Sequence, residues 1–364
     1  MKPTRCHLLL PLVVCAATAQ AAVTYAPIAD TQAIVTGVRA DSAGTVVLTA
    51  NYNLNGVLCA GLYQGSLAAA ATAPSSSWHA LTPSIPVDPL QPKGAMQTVT
   101  SATFYGPNTA RFDPSLGAGN IVAVGSYKYT TGSPGPKADH GMIYKGPITG
   151  GGTWKQIDAT ALVTGPGEAL KNTLAHSTMG TLVVGNYDTT LATGKAFIYD
   201  TATGRWTNLN PDSTASVTAY GIWQNGGATS TSYTIAGGIS AVGSGGIDQS
   251  YLVDYDSATG ALTHYTTFTY NNVAGSAPLA HFDGITGTAA GFNLTGIVTI
   301  NGALSGFFAS VARKPDGSFG EPVWTPIAYP GGKATTGNTV VETQALGIFT
   351  TGAGTQSYIA TVKP

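Results

Sequence analysis

The chain has 364 residues, 16 Lys and Arg against 17 Asp and Glu, and a formal net charge of −1. No basic run occurs, so nucleic acid and anionic membranes find no electrostatic footprint. Charged residues make up 9% of the chain against ~25% in ordinary globular domains, while 43% are hydrophobic and glycine reaches 47. That balance excludes a disordered chain and suits many short strands joined by tight turns.

Residues 1–21 read as a secretory signal. Lys2 and Arg5 open it, "LLLPLVVCAATA" is its apolar centre, and "AQA" supplies the small residues for cleavage after Ala21. The apolar run is too short to span a bilayer, and no later stretch reaches ~18 uninterrupted apolar residues. A lipoprotein reading through Cys15 is the rival, but Val14 stands where such signals carry a small residue. The expected mature protein, residues 22–364, is a single exported domain, secreted or periplasmic, that does not span the membrane. It keeps 14 Lys and Arg (16 less Lys2 and Arg5) and one cysteine, Cys59 in "GVLCAGLY", expected as a small buried hydrophobe.

Beyond residue 21 the runs "TVVLTANY" (45–52), "NIVAVGSY" (120–127), "TLVVGNY" (181–187), "SYTIAGGI" (232–239) and "QSYLVDY" (249–255) are β-branched, aromatic and alternating. Only "GEALKNTLAH" (167–176) looks helical, and it is short. The chain is expected to be all-β.

One unit repeats along it: a first strand, a second ending in Gly-x-Tyr or Gly-Gly, a third carrying Tyr, and a fourth carrying Trp or Tyr. It is read at 33–83, 97–159, 171–209, 216–268 and 278–328, and a sixth copy begins at "NTVVETQ" (338–344). That copy stops one strand short, while "VTYAPIAD" (23–30) matches the fourth-strand pattern of "VWTPIAYP". A ring closed by its own N-terminal strand satisfies the edges that a linear array leaves open. The prediction is a six-bladed β-propeller with about 57 residues per blade.

Gly237-Gly238 with Tyr255, and Tyr199-Asp200 with Trp206, resemble pieces of the kelch repeat, with Trp78, Trp154 and Trp324 at the equivalent fourth-strand place. Only one unit carries Gly-Gly; others have Gly-Asn (185–186), Gly-Ser (125–126) or Gly-Ile (347–348). The resemblance implies fold and blade anatomy alone, since propellers host binding, scaffolding and catalysis alike.

"YDTATG" (199–204) recurs 56 positions later as "YDSATG" (255–260). A calcium loop needs alternating oxygen ligands and a bidentate acid, whereas Ala202 and Ala258 fill the middle and no Glu follows. These stretches read as Asx turns closed by glycine.

The first strands, expected to line the channel, carry the chemistry. Ala175-His176 and Ala280-His281 are identical dipeptides at matching blade positions, joined on the first strands or the turns that follow them by Tyr220, Glu342, Asp283 and Arg39. His176, Tyr220, His281, Glu342 and Arg39 are the candidate ligand-binding residues. His176, His281, Asp283 and Glu342 are the candidate acids and bases, and His176 with His281 could hold a divalent cation. The bland alternative is a set of polar struts across a water-filled channel. Asp113, Asp188 and Asp248 join Asp283 as acids by number, but spacing does not pair them. Tyr52, Tyr127 and Tyr187 end second strands, either as blade packing or as a sugar-stacking platform. No nucleophile-elbow, zincin or phosphate-loop motif occurs, and no cofactor is implied.

The reading is an exported binding module for a glycan or a surface protein, with the insertions 127–141 and 239–249 as recognition surface. A propeller-type glycoside hydrolase or lactonase is the second hypothesis, and a structural surface protein the third.

Overall fold

The computed structural model describes residues 22–130, 138–192, 194–210, 216–240, 249–270, 279–300 and 302–363. Residues 1–21, expected above to be a signal, Asp248 and much of the two insertions lie outside these residues. Among the described residues no helix is long and apolar enough to cross a membrane.

Alternating apolar strands separated by glycine-containing turns fold back on themselves as antiparallel sheets, and six such sheets form the ring of a six-bladed β-propeller. From the axis outward the first blade is Ala33–Ser42, Thr45–Leu54, Val57–Gly65 and His79–Leu81. The second is Val99–Thr109, Asn120–Tyr129, His140–Pro147 and Thr153–Ile157. The third is Leu170–Met179, Leu182–Thr189, Lys195–Asp200 and Trp206–Asn208. The fourth is Val217–Gln224, Ser232–Ile239, Gln249–Asp256 and Leu262–Phe268. The fifth is Leu279–Gly287, Gly291–Ile300, Ala303–Ala312 and Val323–Ile327.

The sixth blade has a divided inner strand, Ala334–Thr335 and Thr339–Val341, followed by Gln344–Thr351 and Gly354–Lys363. Its outer strand is Ala22–Pro27, with Val23 opposite Val362 and Tyr25 opposite Ala360. Ser357 then ties the seam inward, its hydroxyl accepting from Val35 N at 2.8 Å and donating to Ala33 O at 2.9 Å. The closure expected from the repeat frame is what the chain forms. One expectation fails: "GEALKNTLAH" runs into the strand Leu170–Met179, and the short helix is instead Leu67–Ala70, capped by Ser66.

Apolar side chains of adjacent blades interdigitate. Leu182, Val184, Ala196 and Ile198 of the third blade meet Val217, Ala219 and Ile222 of the fourth, all buried. Each of the Leu, Val and Ile side chains contributes roughly 1.5–3 kcal/mol on burial, and the alanine methyls less. Within every blade an aromatic on the third strand meets one on the fourth or, for Trp78, immediately before it. The pairs are Tyr63/Trp78, Tyr144/Trp154, Tyr199/Trp206, Tyr251/Tyr265 and Phe307/Trp324, with Tyr358/Tyr25 across the closure. Tyr25 is therefore the sixth blade's fourth-strand aromatic, supplied from the other end of the chain.

The second-strand tyrosines are packing residues. Tyr52, Tyr127 and Tyr187 are buried, and the Tyr127 hydroxyl donates to Gln97 and Gln156. Cys59 is a buried free thiol. The Asp-x-Ala-Thr-Gly stretches are turns: Asp200 Oδ1 accepts from Ala202 N at 3.0 Å, Asp256 Oδ1 from Ala258 N at 2.9 Å. Gly204 and Gly260 close them at φ of 74° and 78°.

Candidate functional site: a ring of bulges around the channel

The inner strands pack against one another around the axis, and five of them share one irregularity. Register slips by one residue at Thr36, Tyr105, His176, Tyr220 and Asp283. In the sixth blade the strand is interrupted between Thr335 and Thr339, which places Asn338 at the same level. A bulge leaves its extra residue outside the ladder and re-aims the side chain. Here all six face the channel.

Two sets of close approaches fix the bulges. In five of the six blades the backbone before this point turns so far toward the second strand that a Cβ on the facing second-strand residue would overlap a carbonyl oxygen. This holds at Gly125 against Thr103 O, Gly185 against Leu174 O, Gly237 against Thr218 O, Gly296 against His281 O and Gly347 against Thr336 O. The recurrent second-strand glycine of the repeat thus has a steric cause. The residue after the bulge is also often glycine, because the next inner strand presses on it: Gly37 meets Tyr105 O, and Gly106 meets His176 O.

Aligned on those glycines, the two histidines are not equivalent. Ala175 lies opposite Gly185, but it is Phe282 that lies opposite Gly296. His176 therefore matches Asp283, and His281 sits two residues earlier on the same channel-facing side of its strand.

The ring is chemically lopsided. Thr36 and Asn338 are spent tying neighbouring inner strands together: the Thr36 hydroxyl donates to Phe104 O of the second blade at 2.5 Å, and Asn338 Nδ2 donates to Val35 O of the first at 2.8 Å. The other members form one wall across the second to fifth blades. Tyr105 and His176 rings lie 4.8 Å apart, His176 and Tyr220 4.7 Å, and Tyr220 and His281 5.2 Å. His281 Nδ1 lies 3.0 Å from Asp283 Oδ1, an ion-pair distance without hydrogen-bond alignment, and Asp283 Oδ2 is buried with no hydrogen-bond partner.

Burial sets the protonation states. The His176 imidazole is pushed down to about 3 by desolvation, with His281 adding repulsion, so it is neutral at physiological pH. Burial pulls His281 down, but the Asp283 carboxylate more than reverses this and the net shift is upward. Burial raises Asp283, and His281 offsets this only in part. Burial also raises the Tyr105 and Tyr220 phenols, keeping both neutral donors.

Arg39 lies further along the channel. It is 5% exposed, its Nε donates to Pro107 O at 3.3 Å, Nη2 lies 3.5 Å from Thr178 O, and its guanidinium is 5.6 Å from the Trp223 ring. Between Arg39 and the bulge ring lies a cavity of about 200 Å³ lined by all six inner strands.

The structure thus brings together Arg39, His176, Tyr220, His281 and Asp283. Glu342 does not join them. It is exposed in the turn after Val341 at φ 52°, and it borders a separate groove beside Arg111. A channel site built on Glu342 is therefore corrected. Asp113 caps a 3₁₀ turn and Asp188 accepts from Asn172 Nδ2 and Gly194 N, so neither pairs with Asp283. Among the described residues no three His, Cys, Asp or Glu side chains gather as metal ligands. Sequence reasoning missed Tyr105, Thr36 and Asn338. The signal that could have found Thr36 and Tyr105 is the dipeptide x-Gly within an apolar first strand, as in Thr36-Gly37, Tyr105-Gly106, Tyr220-Gly221 and Asp283-Gly284.

No family model and no curated protein sequence matches the chain. Among solved structures it is similar to a virginiamycin B lyase from Staphylococcus aureus at 13% identity, covering 94% of this chain and 99% of that one, TM-score 0.42. A periplasmic gluconolactonase from Pseudomonas aeruginosa is similar at 12% identity over 88% and 83% of the two chains, TM-score 0.42. A polysaccharide lyase, ulvan lyase, is similar at 11% identity over 93% and 82%, TM-score 0.41. Likeness at this level carries no argument about chemistry, and the architecture rests on the six sheets themselves.

Proposed function

We propose that the protein is a recognition module whose central channel holds one ring-sized polar ligand, such as the terminal unit of a glycan. The observation that carries this is the bulge ring, which turns six different side chains toward one cavity of about 200 Å³. A dry cavity of ~150 Å³ already accepts a single six-membered ring. Scaffolding alone does not call for neutral Tyr105, His176 and Tyr220 beside a buried Asp283 oxygen without a hydrogen-bond partner. Neutral phenol and imidazole donors with one acceptor are the groups that read hydroxyls. The kelch-type ancestry of the repeat and export through cleavage after Ala21 belong to the same proposal. Such cleavage leaves the closing strand Ala22–Pro27 whole.

Saturation-transfer NMR with a panel of monosaccharides tests the reading. Binding that is lost in Tyr220→Ala and His176→Ala supports it, and binding unaffected by both variants refutes it.

A second reading, proton-transfer chemistry such as lactone hydrolysis, rests on the His281–Asp283 pair. It requires turnover that disappears in Asp283→Asn. Glycoside hydrolysis by paired carboxylates has less support, because among the described residues Asp283 is the only acid lining the cavity.

A further inference from the structure

Among the described residues Arg39 is the one Lys or Arg that borders the channel cavity, and no carboxylate among them pairs with it. Its contacts are two carbonyl oxygens and the face of Trp223, all uncharged. Asp283 borders the same cavity, but its charge is matched by His281 at 3.0 Å.

A buried charge is expensive unless paired, and replacing buried ionic groups by apolar side chains of similar volume is often neutral or stabilising. The low-polarity surroundings pull even this guanidinium down to about 10. Val38, Pro107, Ile285 and Ile297 line the same cavity, so an anion beside the guanidinium would lie partly against apolar walls. There its attraction to a fixed guanidinium is much stronger than in water. The guanidinium fork matches a carboxylate in shape.

Resting on the channel reading above, we infer that the ligand carries a carboxylate: Arg39 receives it, while the hydroxyls face Tyr105, His176, Tyr220 and Asp283. The chemical class is a polyhydroxy acid, such as a hexuronate, either free or at a glycan terminus.

Titration calorimetry on the purified protein at fixed ionic strength, with glucuronate and glucose as probes, tests this. The two differ mainly in one carboxylate. The expected result is at least about tenfold tighter binding of glucuronate by the wild-type protein, one charge-assisted contact being worth that much. In Arg39→Met the preference should fall below about twofold while glucose binding persists, and the ligand-free melting temperature should hold or rise. Arg39→Lys, which keeps charge but not the fork, should retain part of the preference and serves if the Met variant does not fold. A glucuronosyl-terminated disaccharide that binds like glucuronate identifies a glycan end as the source; its failure beside tight glucuronate binding identifies the free acid. Equal binding of glucose and glucuronate by the wild type overturns the inference but leaves channel recognition standing. So does a preference that survives Arg39→Met. Binding of neither sugar overturns both.

Discussion

The inner strands of the third and fifth blades carry the same letters, Leu-Ala-His, and place them differently. In the third blade the histidine is itself the bulge, a neutral imidazole between Tyr105 and Tyr220. In the fifth the bulge falls two residues later, on Asp283, and the histidine beside it becomes that carboxylate's counter-charge. Short identical dipeptides therefore mislead in a repeat protein when backbone register is fixed elsewhere. Here the second-strand glycine opposite the residue before the bulge fixes it, at Gly185 and at Gly296. One frame with two chemistries yields a symmetric scaffold and an asymmetric site.

Removing the frame altogether should have the largest effect. Deleting Ala22–Pro27 leaves Gly354–Lys363 as an open edge and strips Tyr25 from Tyr358. The expected outcome is loss of a cooperative thermal transition or pairing of edges between molecules, read by calorimetry and light scattering.

Next comes the glycine lock. Gly185→Ala should lower unfolding free energy by about 3 kcal/mol, at the upper end of overpacking costs, because the obstructing atom is backbone. The first blade has Ala50 opposite Val35. Ala50→Gly should therefore cost only the ~0.5–1 kcal/mol of added chain entropy. Urea denaturation of both variants checks this, and equal effects would break the account of the lock.

The two histidines should separate under acid. The His176 value is depressed to about 3 against 6.5 in an unfolded chain, so the unfolded state binds the extra proton first. Stability it contributes is present above about pH 6.5 and lost as pH falls toward 3. Melting temperature should drop between pH 6.5 and 4 in the wild type and drop less in His176→Gln. The His281 value is raised, which has the opposite sign: its contribution is present below its unfolded value and fades as pH rises through the folded one. His281→Gln should therefore leave the acid limb in place.

The smallest effect belongs to the turns. Asp200→Ala removes bonds to Ala202 N and the Thr203 hydroxyl and should cost about 1 kcal/mol without altering ligand binding. A change in binding would restore a site to the Asp-x-Ala-Thr-Gly stretch.

The ring, the blade boundaries and the closing strand were legible because each rests on local patterning: two-residue alternation, turn glycines and third- and fourth-strand aromatics such as Tyr199 and Trp206. The channel residues were legible by type and only partly by place. Glu342 in "NTVVETQ" fitted either the end of the first strand or the turn after it, and it occupies the positive-φ turn. Tyr105 was not singled out, since a bulge changes which face a residue takes without changing composition. Arg39 was visible as a charge, but its lack of a partner is a three-dimensional fact.

The central claim is that the asymmetric wall of the channel is where a ligand is read. Nitrogen-15 histidine spectra, recorded with and without the saccharide that binds, test it most directly. The account predicts that the His176 and His281 ring signals shift on binding, while those of His79, in the outer strand His79–Leu81, and His264, in Leu262–Phe268, stay fixed. Shifts confined to His79 or His264, with His176 and His281 unmoved under saturating ligand, would contradict it.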